Sequence, residues 1–428
     1  MLIRWLYTLL LACASPFLLY SLYKKKEGKP SVGNRWKEHF GVTPPLKSSG
    51  QPIWIHAASV GETIAATPFI KALKAHNPDL TILLTTTTST GAEQAARLGD
   101  LVYHRYTPVD FSFAIKRFIH IVRPSQLIIV ETELWPNTLN EASKSGIPIT
   151  LLNARLSEKS YSGYTKISPL IKPMTKQLSK VLCQFNADAK RFNKLGVGEN
   201  NLVVTGSIKF DITITDTVLL QGNQLREQLG QHRPIWIAAS THEGEEETLL
   251  SIHKQLLIDI PNALLIVVPR HPERFRSVTA LSNSKGFSTI TRSSKAPTTP
   301  NTPNTPNTQV YIGDTMGEML TLLQAADVCF MGGSLLGKKV GGHNLLEPAA
   351  LRKPTIIGPS YYNFKDITHA LEAAGACIIT QDKLEITSQL KQWLIDQKSR
   401  EKSGTQALTV VRKNTGAIEK SLAQLNIN

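Results

Sequence analysis

Residues 53–76 have the sequence IWIHAASVGETIAATPFIKALKAH, and this stretch decides the fold class. Residues 53–56 form an apolar run that favours a β-strand, and residues 62–76 have the composition of a helix. A short polar turn with one glycine separates them. A strand that leads through such a turn into a helix begins a βαβ unit, so the stretch predicts a parallel sheet with helices on its faces.

The same alternation recurs along most of the chain. Near-continuous apolar strands separated by helix-like stretches indicate parallel strands that are buried on both faces of a sheet. The expected strands of the first half cover residues 53–56, 81–87, 126–130, 148–152, 181–185 and 202–205, with helices at 62–76, 114–122 and 187–195. Those of the second half cover residues 235–239, 264–268, 310–312, 328–331, 355–357 and 377–380. We therefore predict an α/β fold of two Rossmann-like domains that face each other across a cleft.

The length of 428 residues also favours two domains, because one ordinary domain holds about 100–200 residues. We expect a transmembrane anchor at 2–23, a basic juxtamembrane linker at 24–50, an amino-terminal domain at 51–212, an interdomain linker at 213–233, a carboxy-terminal domain at 234–399 and, at 400–428, a helix that can pack back across the domains. Residues 296–308 repeat Thr-Pro-Asn, and their prolines exclude a helix or strand interior. An exposed loop is expected there; a partner-docking PxxP-type segment is the alternative.

The amino terminus is apolar from Leu2 to Tyr23 except for Arg4, and as a helix it is long enough to cross a bilayer of about 30 Å. Four lysines follow at once: Lys24, Lys25, Lys26 and Lys29. The positive-inside rule then places the rest of the chain in the cytoplasm. A cleaved signal peptide is the alternative, since Ala12 and Ala14 resemble a cleavage site. The basic cluster, however, follows the apolar run instead of preceding it, which favours an uncleaved anchor.

The composition points to an anionic partner. Lys and Arg outnumber Asp and Glu by 48 to 33, which gives a net charge of +15 and suits nucleic acid, a membrane surface or a phosphorylated substrate. The four cysteines are far apart and form no CxxC pair, which argues against a disulfide scaffold and a zinc module.

Polar residues gather where the predicted strands of the first domain end. In HAASVGE (56–62), Glu62 is either a general base or the partner of Ser59 in a capping box. In ETELWPN (131–137), Glu131 and Glu133 share a face if the strand persists. They could form a metal pair, although no histidine lies nearby, or one of them caps the helix that begins at Pro136. In GSIKFD (206–211), Lys209 either neutralises a phosphate or carboxylate or is a surface lysine.

The second domain contains four such clusters, at residues 269–272, 313–318, 332–334 and 341–348. Arg270 can donate two hydrogen bonds to a phosphate, and His271 can add another. Residues 316–318 are expected to open a helix whose free N–H groups take a nucleotide. Asn344 and Glu347 form an N-cap and its capping-box partner, or Glu347 accepts from a ribose diol. P-loop, GxSxG and HExxH patterns do not occur.

Six of these motifs, taken together and in order, resemble the bacterial 3-deoxy-D-manno-octulosonic acid (Kdo) transferases. They are HAASVGE (56–62), ETELWPN (131–137), GSIKFD (206–211), PRHPERF (269–275), GDTMGE (313–318) and GGHNLLEP (341–348). The resemblance covers nearly the whole chain behind one amino-terminal anchor. The Thr-Pro-Asn repeat and the GKKV stretch at 337–340 depart from the family pattern, and both are expected to be loop changes.

The resemblance implies a GT-B fold and an inverting glycosyltransferase that needs no metal or other cofactor. The donor would be CMP-Kdo and the acceptor a lipid A precursor (lipid IVA). Glu62 would be the general base, while Glu131, rather than Glu133, and Lys209 would stabilise the charge that develops in the transition state. The residues around CMP would be Arg270, His271, Met316, Gly317, Glu318, Asn344, Leu345, Leu346 and Glu347.

The resemblance also implies a location at the bacterial inner membrane, with the catalytic domains on the cytoplasmic side. A basic face near residues 24–37 would attract anionic lipid, and no nucleic acid is expected as a partner. Two other functions stay open on the sequence. A nucleotide-sugar epimerase of the same architecture would not need the anchor. A membrane-tethered basic protein that binds nucleic acid would be expected to interleave aromatic and basic residues, a pattern that is not found.

Overall fold

The computed structural model describes residues 2–24, 31–47, 50–294 and 307–425. These residues form two compact units. The first comprises the described residues of Met1–Asp211 and Asn414–Asn428, and the second comprises those of Ile212–Lys413. Each unit contains a seven-stranded sheet in which every pair of neighbouring strands is parallel. The predicted α/β class with parallel sheets is thereby confirmed.

The sheet of the first unit has the strand order β3-β2-β1-β4-β5-β6-β7. The strands are β1 Ile53–His56, β2 Ile82–Thr86, β3 Tyr103–Tyr106, β4 Gln126–Val130, β5 Ile149–Ala154, β6 Lys180–Cys183 and β7 Leu202–Val204. The helices are α1 Leu2–Tyr23, α2 Val60–His76, α3 Ser89–Ala96, α4 Ser112–Val122, α5 Pro136–Lys144, α6 Glu158–Lys166, α7 Ser168–Thr175, α8 Asn186–Lys194 and, from the end of the chain, α17 Ala417–Leu422.

Successive residues of β1 enter two different cores, as expected for a strand covered on both faces. Ile53 and Ile55 pack with Phe69 of α2 in one cluster, whereas Trp54 packs in the other cluster with Phe118 of α4. All these side chains are almost completely buried. The apolar pattern of residues 53–56 is therefore explained by burial on both faces of the sheet.

The sheet of the second unit has the order β10-β11-β9-β8-β12-β13-β14. Its strands are β8 Ile235–Thr241, β9 Leu264–Pro269, β10 Thr289–Thr291, β11 Val310–Ile312, β12 Val328–Met331, β13 Thr355–Ile357 and β14 Cys377–Ile379. Its helices are α9 Asp216–Leu229, α10 Glu245–Asp259, α11 Phe275–Ser284, α12 Met319–Ala325, α13 Leu346–Ala350, α14 Lys365–Ala373, α15 Lys383–Ile395 and α16 Gln397–Asn414.

In both sheets the direction of winding reverses next to the first strand of the unit. The reversal lies between β1 and β4 in the first unit and between β8 and β12 in the second. In open parallel sheets, ligands bind beyond the carboxyl ends of the strands at such a switch point. The loops after β1, β4, β8 and β12 are therefore the first places to look for a site.

The segment expected to be an interdomain linker, residues 213–233, belongs to the second unit and consists largely of α9. Arg226 fastens this helix, because its guanidinium donates to the carbonyl of Ala325 and pairs with Asp327 at 3.0 Å. At the other end of the chain, the described residues from Asn414 onward join the first unit. Most of the Thr-Pro-Asn repeat, residues 295–306, lies outside the described residues.

Helix α1 lies along the first unit and contacts it near both of its ends. Arg4 pairs with Glu141 at 3.2 Å, Asn137 donates to the hydroxyl of Thr8 at 2.9 Å, and the Tyr23 hydroxyl lies 2.9 Å from Nδ1 of His39.

The opposite side of α1 is exposed and apolar and carries Leu2, Trp5, Leu6, Leu9, Leu10 and Phe17. Among the described residues, Leu2–Tyr20 is long and apolar enough to cross a membrane, by length and composition alone. Lys25, Lys26 and Lys29 of the predicted basic cluster lie outside the described residues.

One carboxylate ties the end of the chain to the first unit. Asp211 accepts hydrogen bonds from the backbone N–H of Gly416 and of Ile418, both at 2.6 Å, where α17 begins. Ala417 and Ile418 are buried in the same core as β1. We predict that Asp211→Asn, which replaces one acceptor oxygen by an amide, lowers the local stability of this segment by about 1–3 kcal/mol. Hydrogen exchange at Gly416 and Ile418 should become faster, whereas Asp79→Asn, at an exposed site, should leave it unchanged. Equal exchange in both variants would contradict this role of Asp211.

Candidate functional site

The turn after β1 places Glu62 in the first turn of α2. Ser59 caps the helix, because its hydroxyl accepts from the N–H of Glu62 at 3.3 Å. The Glu62 carboxylate in turn accepts from the Ser59 hydroxyl at 2.8 Å and from the N–H of Ala58 at 2.7 Å. Glu62 therefore makes capping contacts, as one of the two interpretations of the sequence predicted. These contacts fix the carboxylate at the carboxyl edge of the sheet and do not exclude a second role.

The environment of Glu62 raises its pKa to about 7. Burial is the largest cause, and the nearby charges of Glu133 and Glu131 add to it, while the two hydrogen bonds oppose it. A carboxyl group with such a pKa is present in both protonation states near neutral pH. This property suits a group that must take up and release a proton.

Glu131 directly follows β4 in a strained conformation, and its carboxylate faces a lysine. Its φ angle is 62°, in the left-handed region that residues other than glycine rarely adopt. Its carboxylate pairs with the ammonium group of Lys209 at 2.7 Å. The strand stops at Val130, so the condition under which Glu131 and Glu133 would share a strand face is not met.

Glu133 and the start of α5 show a second difference from the sequence analysis. Burial raises the pKa of Glu133, and the side chain of Trp135 donates a hydrogen bond to it. Helix α5 begins at Pro136, as predicted, but neither glutamate caps it. Its cap is Asp110, whose carboxylate accepts from the N–H groups of Asn137 and Thr138 at 2.9 and 2.7 Å. Neither glutamate is engaged as a helix cap, and the negative charges of both raise the pKa of Glu62.

Lys209 lies in a single helical turn, Ile208–Phe210, that a buried asparagine fixes. Asn153, at the end of β5, accepts from the N–H of Ile208 at 3.2 Å and has a φ angle of 58°. Asn153 was not among the residues predicted from the sequence. Its position at the end of an apolar strand is the signal that could have found it, by the same argument that selected Glu131.

In the second unit, three histidines and an arginine lie close together beyond β8 and β9. The Nε2 atoms of His242 and His343 are 2.7 Å apart, and the rings of His242 and His271 meet edge to face with centroids 5.3 Å apart. The pKa of His343 is lowered to about 3, by burial first and then by the charges of Arg270, His242 and His271. Such a cluster of donors is suited to an anion, because a bound negative charge would offset the repulsion between the protonated His343 and its positively charged neighbours. Arg270 and His271 were among the residues predicted from the sequence, whereas His242 and His343 were not.

The backbone N–H groups of the glycine-rich loop after β12 are already occupied. The buried carboxylate of Glu245 accepts from Gly333 at 2.7 Å, from Ser334 at 3.1 Å and from Leu335 at 3.0 Å. It also accepts from the backbone N–H of His242 at 3.0 Å. Residues 332–334 are therefore held in place by Glu245, which links them to the histidine cluster.

The structure divides the other predicted nucleotide-binding residues into two groups. Glu347 belongs with the histidine cluster, because burial raises its pKa and the charge of Arg270 opposes that rise. Asn344 accepts from the N–H of Leu346 at 3.1 Å, where α13 begins. The side chains of Leu345 and Leu346 are buried, so these two residues offer only their backbone to a ligand.

Residues 316–318 form the other group. Helix α12 begins at Met319, one residue later than this segment, so the expectation that residues 316–318 open it is wrong. Met316 is exposed, and Gly317 has a φ angle of 83°. Glu318 pairs with Arg292 at 2.7 Å and accepts from the hydroxyl of Thr315.

Comparisons with known proteins agree with this architecture and with the motifs. UDP-GlcNAc 2-epimerase from Neisseria meningitidis has a TM-score of 0.54 to this chain at 13% identity, and the match covers 87% of this chain and 100% of that one. The C-terminal CMP-Kdo binding domain of WaaA from Acinetobacter baumannii is 34% identical, covering 46% of this chain and 100% of its own, with a TM-score of 0.42. The first comparison shows a fold of the GT-B type, which both glycosyltransferases and epimerases adopt.

The sequence relatives identify the class and then the family. The family model described as 3-deoxy-D-manno-octulosonic-acid transferase (kdotransferase) matches residues 34–212. The 3-deoxy-D-manno-octulosonic acid transferase of Haemophilus influenzae is 40% identical over 426 residues, which are 98% of this chain and 97% of the relative. The chain is therefore a glycosyltransferase. It belongs to the Kdo transferase family, as the motifs predicted.

The electrostatic origin of the Glu62 pKa can be tested directly. We predict that Glu62 titrates near pH 7 and that Glu133→Gln lowers its pKa, because a negative charge beside it is removed. Carbon-13 NMR of labelled glutamate carboxyl groups measures this titration. Glu93→Gln, at an exposed position, is the control that should leave it unchanged. A Glu62 pKa near the ordinary value of about 4.3 would contradict the assignment.

Proposed function

We propose that this chain transfers Kdo from CMP-Kdo to a lipid A precursor with inversion at the anomeric carbon, and that Glu62 is the general base. The observation that carries the proposal is the state of Glu62: a carboxyl group with a pKa of about 7, at the switch point of the first sheet. The family gives the transferred sugar. The donor, the acceptor, the stereochemistry and the base are parts of the proposal.

In the proposed reaction, Glu62 takes the proton of the acceptor hydroxyl while that oxygen forms a bond to the anomeric carbon of Kdo. The bond from this carbon to the phosphate oxygen of CMP breaks, and CMP leaves with the electron pair. Negative charge thus moves from Glu62 towards the leaving group. Lys209, held by Glu131 at 2.7 Å, supplies a fixed positive charge in the first unit, which would stabilise negative charge that develops in the transition state.

We assign CMP binding to the second unit. Arg270 and His271 would donate to the phosphate, and His242 and His343 lie beside them as further donors. Glu347, whose pKa is raised by burial, would accept from the ribose. Asn344 and the backbone of Leu345 and Leu346 would complete this side, with Met316, Gly317 and Glu318 as the other predicted contacts. Fixed cations in place of a metal would stabilise the leaving group, so activity in the presence of a chelator is expected.

The proposed acceptor is a membrane lipid, and the exposed apolar side of α1 is suited to attach the enzyme to the membrane. We propose the bacterial inner membrane, with both units on its cytoplasmic side and anionic lipid as a partner. A single crossing by α1 stays a prediction, and it requires Arg4 to separate from Glu141, because the docked helix follows the surface of the first unit. An impermeant thiol reagent applied to a Leu2→Cys variant in a Cys13→Ser background labels intact spheroplasts if α1 crosses. If α1 stays docked, labelling requires permeabilised cells.

The transferase and its base can be tested on purified protein with CMP-Kdo and a tetra-acylated lipid A precursor, with metal chelated. We predict that the lipid gains the mass of Kdo and that Glu62→Gln lowers kcat by about 10²–10⁴-fold. Glutamine keeps an oxygen that can accept from Ala58, so the variant removes the base while preserving the cap. Glu93→Gln is the control of equal chemistry at an exposed site.

Two outcomes of this assay would contradict the proposal in different ways. A wild-type protein that adds no mass to the lipid and releases no CMP would contradict transfer to this acceptor. A Glu62→Gln variant as active as Glu93→Gln would keep the transfer and restrict Glu62 to its capping role.

The raised pKa of Glu62 also predicts the pH dependence of the reaction. A base must be ionised to accept a proton, so kcat/KM should fall about tenfold for each pH unit below the pKa of about 7. An ordinary glutamate would not cause this loss until pH 4–5, at about its usual pKa of 4.3. Initial rates between pH 5 and 9 measure the profile. Activity that stays constant down to pH 5 would contradict Glu62 as the base.

A further inference from the structure

A groove of about 430 Å³ lies between α1 and the body of the first unit. Helix α1 contributes an aliphatic wall of Leu11, Leu18, Leu19 and Leu22. At a rise of about 1.5 Å per residue, the part of the helix from Leu11 to Leu22 extends about 16 Å along the groove. Trp135 and Val109 form part of the opposite wall. Ser15 also lines the groove from the helix, and Thr107, Asp110 and Thr138 line it from the body. The groove is therefore long, mostly aliphatic on the side of the helix and mixed on the opposite side.

The end of the groove near Tyr23 is polar. Lys24, His39 and the threonines at 87, 88 and 90 line it. The hydroxyl of Tyr23 lies 2.9 Å from the ring of His39, and this contact fixes the end of α1 beside these residues. The groove thus has a polar end that carries the ammonium group of Lys24 and a mostly aliphatic wall on the side of the helix. These two parts are complementary to the phosphate and the acyl chain of a phosphorylated glycolipid.

A short series of contacts connects this polar end to Glu62. Thr87, which lines the groove, donates its backbone N–H to the carbonyl of Ala58 at 3.1 Å. Ala58 donates its own N–H to the Glu62 carboxylate at 2.7 Å. Trp135, on the body side of the groove, donates to Glu133, whose charge acts on Glu62. The polar end of the groove and the proposed base therefore lie on neighbouring, hydrogen-bonded loops of the first unit.

We propose that this groove binds an acyl chain of the lipid acceptor, with the sugar head held at the end near Lys24 and Glu62. The inference rests on the proposed transfer to a lipid, and it requires α1 to stay docked on the first unit, with Arg4 paired to Glu141, instead of crossing the membrane. An aliphatic chain along the leucines would remain out of water while its hydroxyl-bearing head reaches the base. Lys24 would face the phosphate of the head, with complementary charge. Helix α1 then has two roles, because its exposed side contacts the membrane and its inner side forms the substrate site.

The test fills the groove and compares it with an equal change on the other side of the same helix. Leu19→Trp places a larger side chain in the groove, whereas Leu10→Trp adds it at a position where leucine is 61% exposed. Two acceptors are used: the tetra-acylated precursor and the same precursor without its acyl chains. Transfer of Kdo is followed by the mass of each product.

We expect Leu19→Trp to raise KM for the tetra-acylated precursor at least tenfold over that of Leu10→Trp. The reason is that several CH₂ groups of the acyl chain would lose their contacts with the groove. Its kcat/KM for the deacylated acceptor should equal that of wild type, which also shows that the variant is folded. Equal KM values for the tetra-acylated precursor in the two variants would overturn the proposal. An equal loss of kcat/KM on both acceptors would also overturn it, because the substitution would then disturb the folded protein and not specifically the binding of an acyl chain.

A second measurement does not depend on turnover. A tetra-acylated precursor with a photoreactive group on one acyl chain should form cross-links with groove residues in wild type and Leu10→Trp and lose them in Leu19→Trp. A phospholipid with the same group that labels the groove equally well would identify a structural lipid as the occupant and overturn the proposal. Wild-type protein that transfers Kdo to neither acceptor would instead contradict the proposed function, so the two failures are distinguishable.

Discussion

Parallel strands end together at one edge of their sheet, and the candidate sites of this protein depend on that constraint. The central strands β1, β4, β8 and β12 are buried along their whole length, so β1 has no room for polar side chains before His56. The polar residues are consequently displaced to the loops beyond the carboxyl ends. The loops after β1 and β4 bring Glu62 near Glu131 and Glu133, and those after β8 and β9 bring His242 near His271.

Within this arrangement, burial and neighbouring negative charge both raise the pKa of Glu62, and its two hydrogen bonds oppose that rise. Burial and neighbouring carboxylates hold the Glu62 proton more tightly than water would, while Lys209 offsets the charge of Glu131. Three residues within one position of the end of a strand are in the left-handed conformation: Glu131, Asn153 and Ser240. Such conformations cost about 1–3 kcal/mol each, which is consistent with strand ends that are shaped for a site. Asn153 and Glu245 hold the loops that follow, one in each unit.

The parts of the fold that burial dictates could be predicted from the sequence, and the parts that it does not dictate could not. The apolar strands were found, but β3 with the sequence YHRY and β10 with TIT were missed. Both lie at the edge of a sheet, where partial exposure removes the apolar signal. The segment 213–233, predicted as a linker from its polar composition, consists largely of helix α9.

Candidate residues could be selected from the sequence where a motif places them in the turn or helix start that follows a strand, as for Arg270 after β9 and Glu62 in the first turn of α2. Pairings between distant segments, such as Lys209 with Glu131 or His242 with His343, have no local signal. Asp110 as the cap of α5 is a contact of the same kind, since it lies 27 residues before Asn137 in the chain. The groove beside α1 was also beyond the sequence, because the apolar pattern predicts a membrane helix but not the face that docks on the protein.

The central claim is that the ionisation of Glu62 controls sugar transfer. The most direct measurement compares, in the same protein, the pKa of the Glu62 carboxyl group from NMR with the apparent pKa of kcat/KM. Wild type and Glu133→Gln are measured together. The account predicts that the two values coincide near 7 in wild type and fall together in the variant. A fall in the pKa of Glu62 that leaves the kinetic profile in place would contradict it, because another group would then be the base.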